Sequence, residues 1–368
     1  MLDTTDSRPA GPHALDLLID EARRQSEICN ACRYCEGYCS VFPALHRQRA
    51  FADADLTQLA NLCHNCRGCY YACQYTAPHE FDLNLPQALG NLRQATWEHY
   101  AWPGALGRAF HRAPSAVVAL TVGAFIALMA IAAVLRPASG EGFYAVMSHG
   151  LMVAIFAPAF LMPLGALGVA LWRYWRDSGA GALSWRDWMA AGRLAATMRN
   201  LGGGHGDGCN FEDADRFTPN RRWAHQLTMW GFMLCFASTS TGTLMHYGLD
   251  WPAPYAWYTL PKLFGVTGGV MLCIGTAWLA RLKRQSDPAL GEQGVRGGQV
   301  AFIWLLFAVS ATGLALYAAT GTALVPVLLP VHLATVFALF VLTPYSKMAH
   351  GFFRMLALAI EARQQRTG

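Results

Sequence analysis

Charge is scarce in this sequence and unevenly placed. Asp, Glu, Lys and Arg make up 14% of the 368 residues, and between Val300 and Ser346 there is none. A run of that kind excludes an ordinary surface segment of a soluble domain. A dinucleotide-binding fingerprint is also missing. No G-x-G-x-x-G follows a strand pattern, and the glycine run GGGHGDG at 202–208 lies between apolar segments, without the strand–turn–helix context that phosphate binding needs. No secretion signal is expected either, since MLDTTDSRPAGPHALDLLIDEARRQ is polar and acidic ahead of any apolar run. These gaps argue against a secreted disulfide scaffold and against a self-contained dehydrogenase with its own flavin or nicotinamide site.

What is present in strength is cysteine, in two copies of one spacing. Cys29, Cys32, Cys35 and Cys39 lie in CNACRYCEGYC, and Cys63, Cys66, Cys69 and Cys73 lie in CHNCRGCYYAC. Each run is C-x2-C-x2-C-x3-C, the spacing with which bacterial ferredoxins wrap iron–sulfur clusters, because two-residue gaps let successive thiolates converge. Structural zinc takes four thiolates as two separated pairs and fits this crowding poorly. In two-cluster ferredoxins the fourth cysteine of each run ligates the other cluster. That crossing predicts one 4Fe–4S cluster on Cys29, Cys32, Cys35 and Cys73, and a second on Cys63, Cys66, Cys69 and Cys39. The proline that usually follows the fourth cysteine is replaced by Ser40 and Gln74.

Composition changes near residue 110, dividing a cysteine-rich region, 1–110, from an apolar region, 111–368. Uncharged stretches at 116–135, 143–171, 223–249, 263–280, 300–320 and 327–346 are each about the length needed to cross a bilayer core of about 30 Å. The predicted fold class is therefore a mainly α membrane protein, with a two-cluster ferredoxin-like domain followed by a six-helix transmembrane bundle. Basic residues favour one side: Arg173, Arg176, Arg186, Arg193, Arg199, Arg216, Arg221 and Arg222 lie between the second and third stretches, and Arg281, Lys283, Arg284 and Arg296 between the fourth and fifth. The opposite loops carry only Arg136 and Lys262. By the positive-inside rule both termini and the cysteine domain face the cytoplasm. The net charge of +5 reflects this asymmetry and does not call for nucleic acid.

Histidine inside a span is a functional candidate, because an unpaired ring in hydrocarbon is costly. His149, His225, His246, His332 and His350 lie in or at the ends of the apolar stretches. His332 and His350 are 18 residues apart, which on one helix is five turns and about 27 Å; His225 and His246 are about 31 Å apart by the same rise. The third and sixth spans run antiparallel, so His225 faces His350 on the cytoplasmic side and His246 faces His332 on the outer side, with His149 competing with His246 there. Facing imidazoles hold b-type haem in helical bundles, and the layout predicts one or two haems. His205, in the glycine-rich loop, reads as loop rather than ligand. Cys209, Cys235 and Cys273 are too scattered to form a further cysteine-rich module.

Two resemblances sharpen this reading. The stretch HLATVFALFVLTPYSKMAH, His332 to His350, resembles the last haem-binding helix of the respiratory nitrate reductase gamma subunit, a dihaem cytochrome b, down to the run Pro344, Tyr345, Ser346, Lys347. That resemblance implies haem ligation by His332 and His350. The tandem cysteine runs followed by RRWAHQLTMWGFMLCFASTSTGTLMHYGLDWPAPY resemble the tricarballylate-utilisation protein B, or citrate-utilisation protein B, family over nearly the full length. The second resemblance implies a protein of the bacterial inner membrane that reoxidises an FAD-dependent tricarballylate dehydrogenase and passes electrons to quinone. The competing readings are a heterodisulfide-reductase-like subunit and a redox-gated sensor or transporter. A transporter would place ionisable groups or broken helices at mid-membrane, where this chain places no charge.

Overall fold

Helix is the regular structure throughout the computed structural model, which describes residues 14–135, 146–203, 206, 208–212, 216–251, 253, 255–292 and 296–367; among these the β contribution is one bridge between Cys209 and Thr218. Arg136, His205 and the start of the expected second span at Phe143 lie outside the described residues. The cysteine region is built from α1 (Ala14–Cys32), α2 (Val41–Arg47), α3 (Asp53–Leu62), α4 (Gly68–Tyr71) and α5 (Leu85–Tyr100). Both cysteine runs sit where helices end. Cys29 and Cys32 occupy the last turn of α1, Cys63 follows α3, and Cys69 lies in α4. Between them the backbone curls through left-handed residues, with φ of 58° at Arg33, 50° at Asn65 and 67° at Arg67. Such conformations are unfavourable for side chains that branch from Cβ, and they persist where a site requires the curl.

Beyond the connector α6 (Gly104–Arg112) run α7 (Pro114–Leu135), α8 (His149–Asp177), the amphipathic α9 (Trp185–Thr197), α10 (Asn220–Gly248), α11 (Leu260–Gln285), α12 (Arg296–Ala318), α13 (Val325–Leu342) and α14 (Ala349–Thr367). Among the described residues five helices are long and apolar enough to cross a membrane: α7 over Pro114–Ala132, α8, α11, α12 and α13. The expected third span, α10, has the length at 29 residues but carries a Ser/Thr-rich middle that sets it apart from these five. Its hydroxyls bond back to carbonyls of their own helix, Thr228 to Ala224, Ser240 to Phe236 and Thr241 to Ala237, so little of that polarity is left unsatisfied.

The sixth expected span needs correction. His332 and His350 do not share a helix: α13 stops at Leu342, the chain turns over 343–348, and α14 starts at Ala349. Pro344 is the cause, since it has no N–H to donate and its ring clashes with the carbonyl a turn earlier. Tyr345 then bonds back to Leu342, and its hydroxyl donates to the Trp102 carbonyl at 3.1 Å. The 27 Å separation along one axis therefore does not apply.

The cysteine domain packs on one end of the bundle. Tyr100, Tyr174 and Phe353 stack there with Trp97, joining α5, α8 and α14 in one apolar core. Polar ties surround it. Gln58 donates to the Ala357 carbonyl at 2.8 Å, Arg47 pairs with Glu361, and Ser40 donates to Asn200 at 2.7 Å. The 286–292 loop closes from the other side, with Asn84 and Gln87 both donating to the Ala289 carbonyl.

Helices α10 and α11 meet through glycine. A Cβ on Gly275 would lie 2.6 Å from Thr228 N and 2.9 Å from the Ala224 carbonyl, and one on Gly231 would lie 2.7 Å from Leu272 N. Backbones this close exclude any side chain, the small-residue packing typical of membrane helices. Gly275→Ala is expected to destabilise by about 1–3 kcal/mol through overpacking. Gly192→Ala, in α9 with open space around its Cβ position, should stabilise by up to about 1 kcal/mol through helix propensity. Thermal unfolding in detergent reads both, and shifts of the same sign would contradict the packing described.

Candidate metal centres

The two cysteine runs do not form two separate nests. Cys29, Cys32, Cys35 and Cys73 line a cavity of about 220 Å³, with Cys69 at its inner wall and Tyr34 at its mouth. Tyr34 is 69% exposed, so this group lies near solvent. Burial first, and then the neighbouring thiols Cys73, Cys35 and Cys32, push the Cys29 thiol up to about 12; Cys35 reaches about 12 through burial and then Cys73 and Cys32. Cys73, from the second run, is therefore the leading thiol neighbour of both.

The second group is deeper. Cys63 and Cys66 are buried. Cys39 is driven well above the ordinary thiol range by burial and then by Cys66 and Cys63, and Cys69 by burial and then by Cys66, Cys63 and Cys39. The fold thus places Cys73 beside the first three cysteines of the other run and Cys39 near Cys63 and Cys66, with Cys69 between the two groups. Among the described residues no three His, Cys, Asp or Glu converge on a point as a single ion would require. A four-iron cube is held at its corners, one thiolate per iron, and accepts thiols spread around a cavity. Thiols held in their protonated form must release protons on loading.

The deep group lies among cations drawn from distant parts of the chain. Arg93 and Arg354 both donate to the Cys63 carbonyl, Arg354 at 2.6 Å. Arg221 donates to the Asn65 carbonyl at 2.5 Å, and Arg67 donates to the Asn65 side chain at 3.2 Å. The 208–212 segment closes over Cys66, with Asn210 N bonded to the Cys66 carbonyl at 3.0 Å and Cys209 fully buried alongside. Sequence spacing gave no sign of these neighbours, which come from α5, α10 and α14 and share no motif.

The histidines fall into pairs. His225 and His350 face each other with ring centroids 5.8 Å apart and an interplanar angle of 72°. Two imidazoles bound to one iron from opposite sides stand about 6 Å apart, given metal–nitrogen bonds of about 2 Å. His350 Nδ1 lies against the Lys347 carbonyl, which leaves Nε2 for a metal, and His225 Nδ1 is buried with no hydrogen-bond partner. This pair fits a haem iron. At the far end His246 is stacked on His149, centroids 4.5 Å apart at 25°, too close for iron between them. His332 stands apart from that stack, with Nδ1 3.1 Å from the Thr312 hydroxyl. The structure brings together the expected inner pair, and on the outer side it brings His246 to His149 rather than to His332.

Fold and site together define a helical membrane protein with an N-terminal ferredoxin-like cysteine domain. The chain belongs to the citrate utilization protein B family: residues 108–368 match Citrate utilization protein B, and residues 22–99 match its Fer4-like domain. A curated relative in Escherichia coli, Citrate utilization protein B, is 39% identical over 353 residues, 95% of this chain and 93% of its own. No solved structure matches the chain.

The exchange of Cys39 and Cys73 has a direct readout. Cys39→Ser should remove the same EPR signal as Cys66→Ser, with about half the iron retained, while Cys73→Ser should match Cys32→Ser. Signals that instead sort by sequence run would exclude the exchange.

Proposed function

We propose that this protein is an electron-transfer subunit that takes electrons from the reduced flavin of a partner dehydrogenase and delivers them to membrane quinone. One observation carries the reading. Residues suited to redox groups follow one another from solvent to the bundle: the cavity of Cys29, Cys32, Cys35 and Cys73, then the set of Cys39, Cys69 and the buried Cys63 and Cys66, then His225 and His350. Arg221 ties the deep set to α10 four residues before His225, and Arg354 ties it to α14 four residues after His350.

In this reading each cysteine set holds one 4Fe–4S cluster, and His225 and His350 hold haem b; these groups, when bound, supply one-electron redox chemistry. The chain's own residues position them and exclude water. α7, α8 and α10–α13 form a six-helix bundle in a bacterial cytoplasmic membrane. The arginine-rich segments, the cysteine domain and both termini lie on the cytoplasmic side. The exposed mouth at Tyr34 is where the flavoprotein docks. Family kinship favours an FAD-dependent dehydrogenase of tricarballylate or a related tricarboxylic acid. A reduced flavin gives up two electrons singly, and a quinone takes two electrons and two protons to become quinol, so the step balances without another oxidant.

Vesicles holding the purified protein should reduce quinone only when the reduced flavoprotein is added. Substrate-dependent quinone reduction by this chain alone would refute the reading. His350→Ala should remove the haem at the inner pair while the iron–sulfur EPR signals persist, and flavoprotein-driven quinone reduction should fall at least tenfold. A haem-to-protein ratio equal to wild type would show that His225 and His350 are structural.

A further inference from the structure

The two cysteine sets differ sharply in their electrostatic surroundings. Around the deep set, Arg93, Arg354, Arg221 and Arg67 all reach the 63–67 backbone or its side chains. Arg67 is 1% exposed and Arg93 2% exposed. Arg67 and Arg221 lie 4.9 Å and 4.0 Å from the centroid of the same Phe211 ring, so two like charges share one aromatic partner. The nearby carboxylates are spoken for. Glu292 receives Arg93, Gln299 and Lys347, and Glu212 receives Thr218 and Asn220. Crowding guanidiniums in a buried space costs stability. An anionic group held by the adjacent thiolates would offset that cost.

The solvent-side set is poorer in such neighbours. Among the described residues no Arg or Lys side chain bonds the backbone of Cys29, Cys32, Cys35 or Cys73, and the arginine that bonds this run, Arg33 on the Asn30 carbonyl at 3.2 Å, is exposed. Reducing an iron–sulfur cluster adds one negative charge, so nearby fixed cations favour the reduced form and raise its potential. Burial acts the opposite way. The same low dielectric that penalises the added charge also strengthens its attraction to the fixed cations, least for Arg93, which Glu292 already pairs.

We propose that Arg93, Arg354, Arg221 and Arg67 form a cationic collar that raises the reduction potential of the group on Cys39, Cys63, Cys66 and Cys69 above that of the group on Cys29, Cys32, Cys35 and Cys73. The inference rests on the iron–sulfur reading above. The collar makes transfer toward the membrane downhill: one electron leaves the solvent-side group, which is oxidised, and reduces the deep group, with reduced flavin as the ultimate donor and quinone as the acceptor. These arginines act through the cysteine ligands and are positioning residues.

The test is a redox titration of the full-length holoprotein in detergent, followed by EPR, with Cys39→Ser and Cys73→Ser used to assign the signals. Two midpoints are expected, with the Cys39-dependent signal reduced first. Arg354→Gln and Arg221→Gln should lower that midpoint alone, whereas Arg354→Lys and Arg221→Lys should hold it near wild type. A Cys39-dependent signal that titrates at or below the Cys73-dependent one overturns the collar, and that comparison needs only the order of the wild-type midpoints should a glutamine variant fail to fold. Glutamine variants that leave the midpoint unmoved overturn it as well. A protein purified with neither signal overturns the iron–sulfur reading itself, which separates the two failures.

Discussion

Glu292 is the point on which the junction of the two regions depends. It sits in the loop between α11 and α12, buried, and accepts from Arg93 of the cysteine domain, from Gln299 of α12 and, at 3.2 Å, from Lys347 of the turn before α14. Burial alone would push its carboxyl up; Lys347, Arg93 and Lys283 reverse that and hold it well below the usual range. A buried pair adds little net stability, but stranding one partner costs about 3–5 kcal/mol. The effect is specificity of docking. This placement of the cysteine domain gives the carboxylate its partners, and Arg93, which reaches it, also donates to the Cys63 carbonyl.

The parts of this design that sequence revealed are those written as local spacing. Cysteine gaps gave both ligand runs, uncharged stretches located the long helices, and the 21-residue gap between His225 and His246 does fall on one continuous helix, α10. Spacing failed where one residue overrode the pattern. His332 and His350 look like residues of one face of a single helix because 18 residues make five turns, yet Pro344 ends that helix and places His350 on the next one. The arginines around Cys63 were illegible for a different reason. Arg67 belongs to the run itself, but the others arrive from positions 93, 221 and 354, and only tertiary packing makes them neighbours.

Ser40 shows how a departure from a motif can be absorbed. The proline usual after the fourth cysteine stiffens the chain; here the Ser40 hydroxyl and backbone N–H both donate to the Asn200 side-chain oxygen, at 2.7 Å and 3.3 Å. Stiffness inside the domain is exchanged for a tie to the loop that precedes α10. Asn210 does the equivalent for Cys66 from the same loop. The cysteine domain is thus completed by segments that belong to the membrane region, and its deep set is enclosed only when the two are joined.

That enclosure explains the gradient from one set to the other. In the proposed electron path the outer site meets a soluble partner, which needs an open wall, and Tyr34 and the cavity it lines supply one. The inner site of that path gains from dryness and fixed charge, which the 208–212 segment, Arg67 and Arg354 supply around Cys63 and Cys66. Exchanging Cys39 and Cys73 between the runs locks these two environments together. Each set then contains one residue from the other run, so neither can shift without moving the second, and the distance between an exposed site and a buried one is fixed by a handful of covalently adjacent residues.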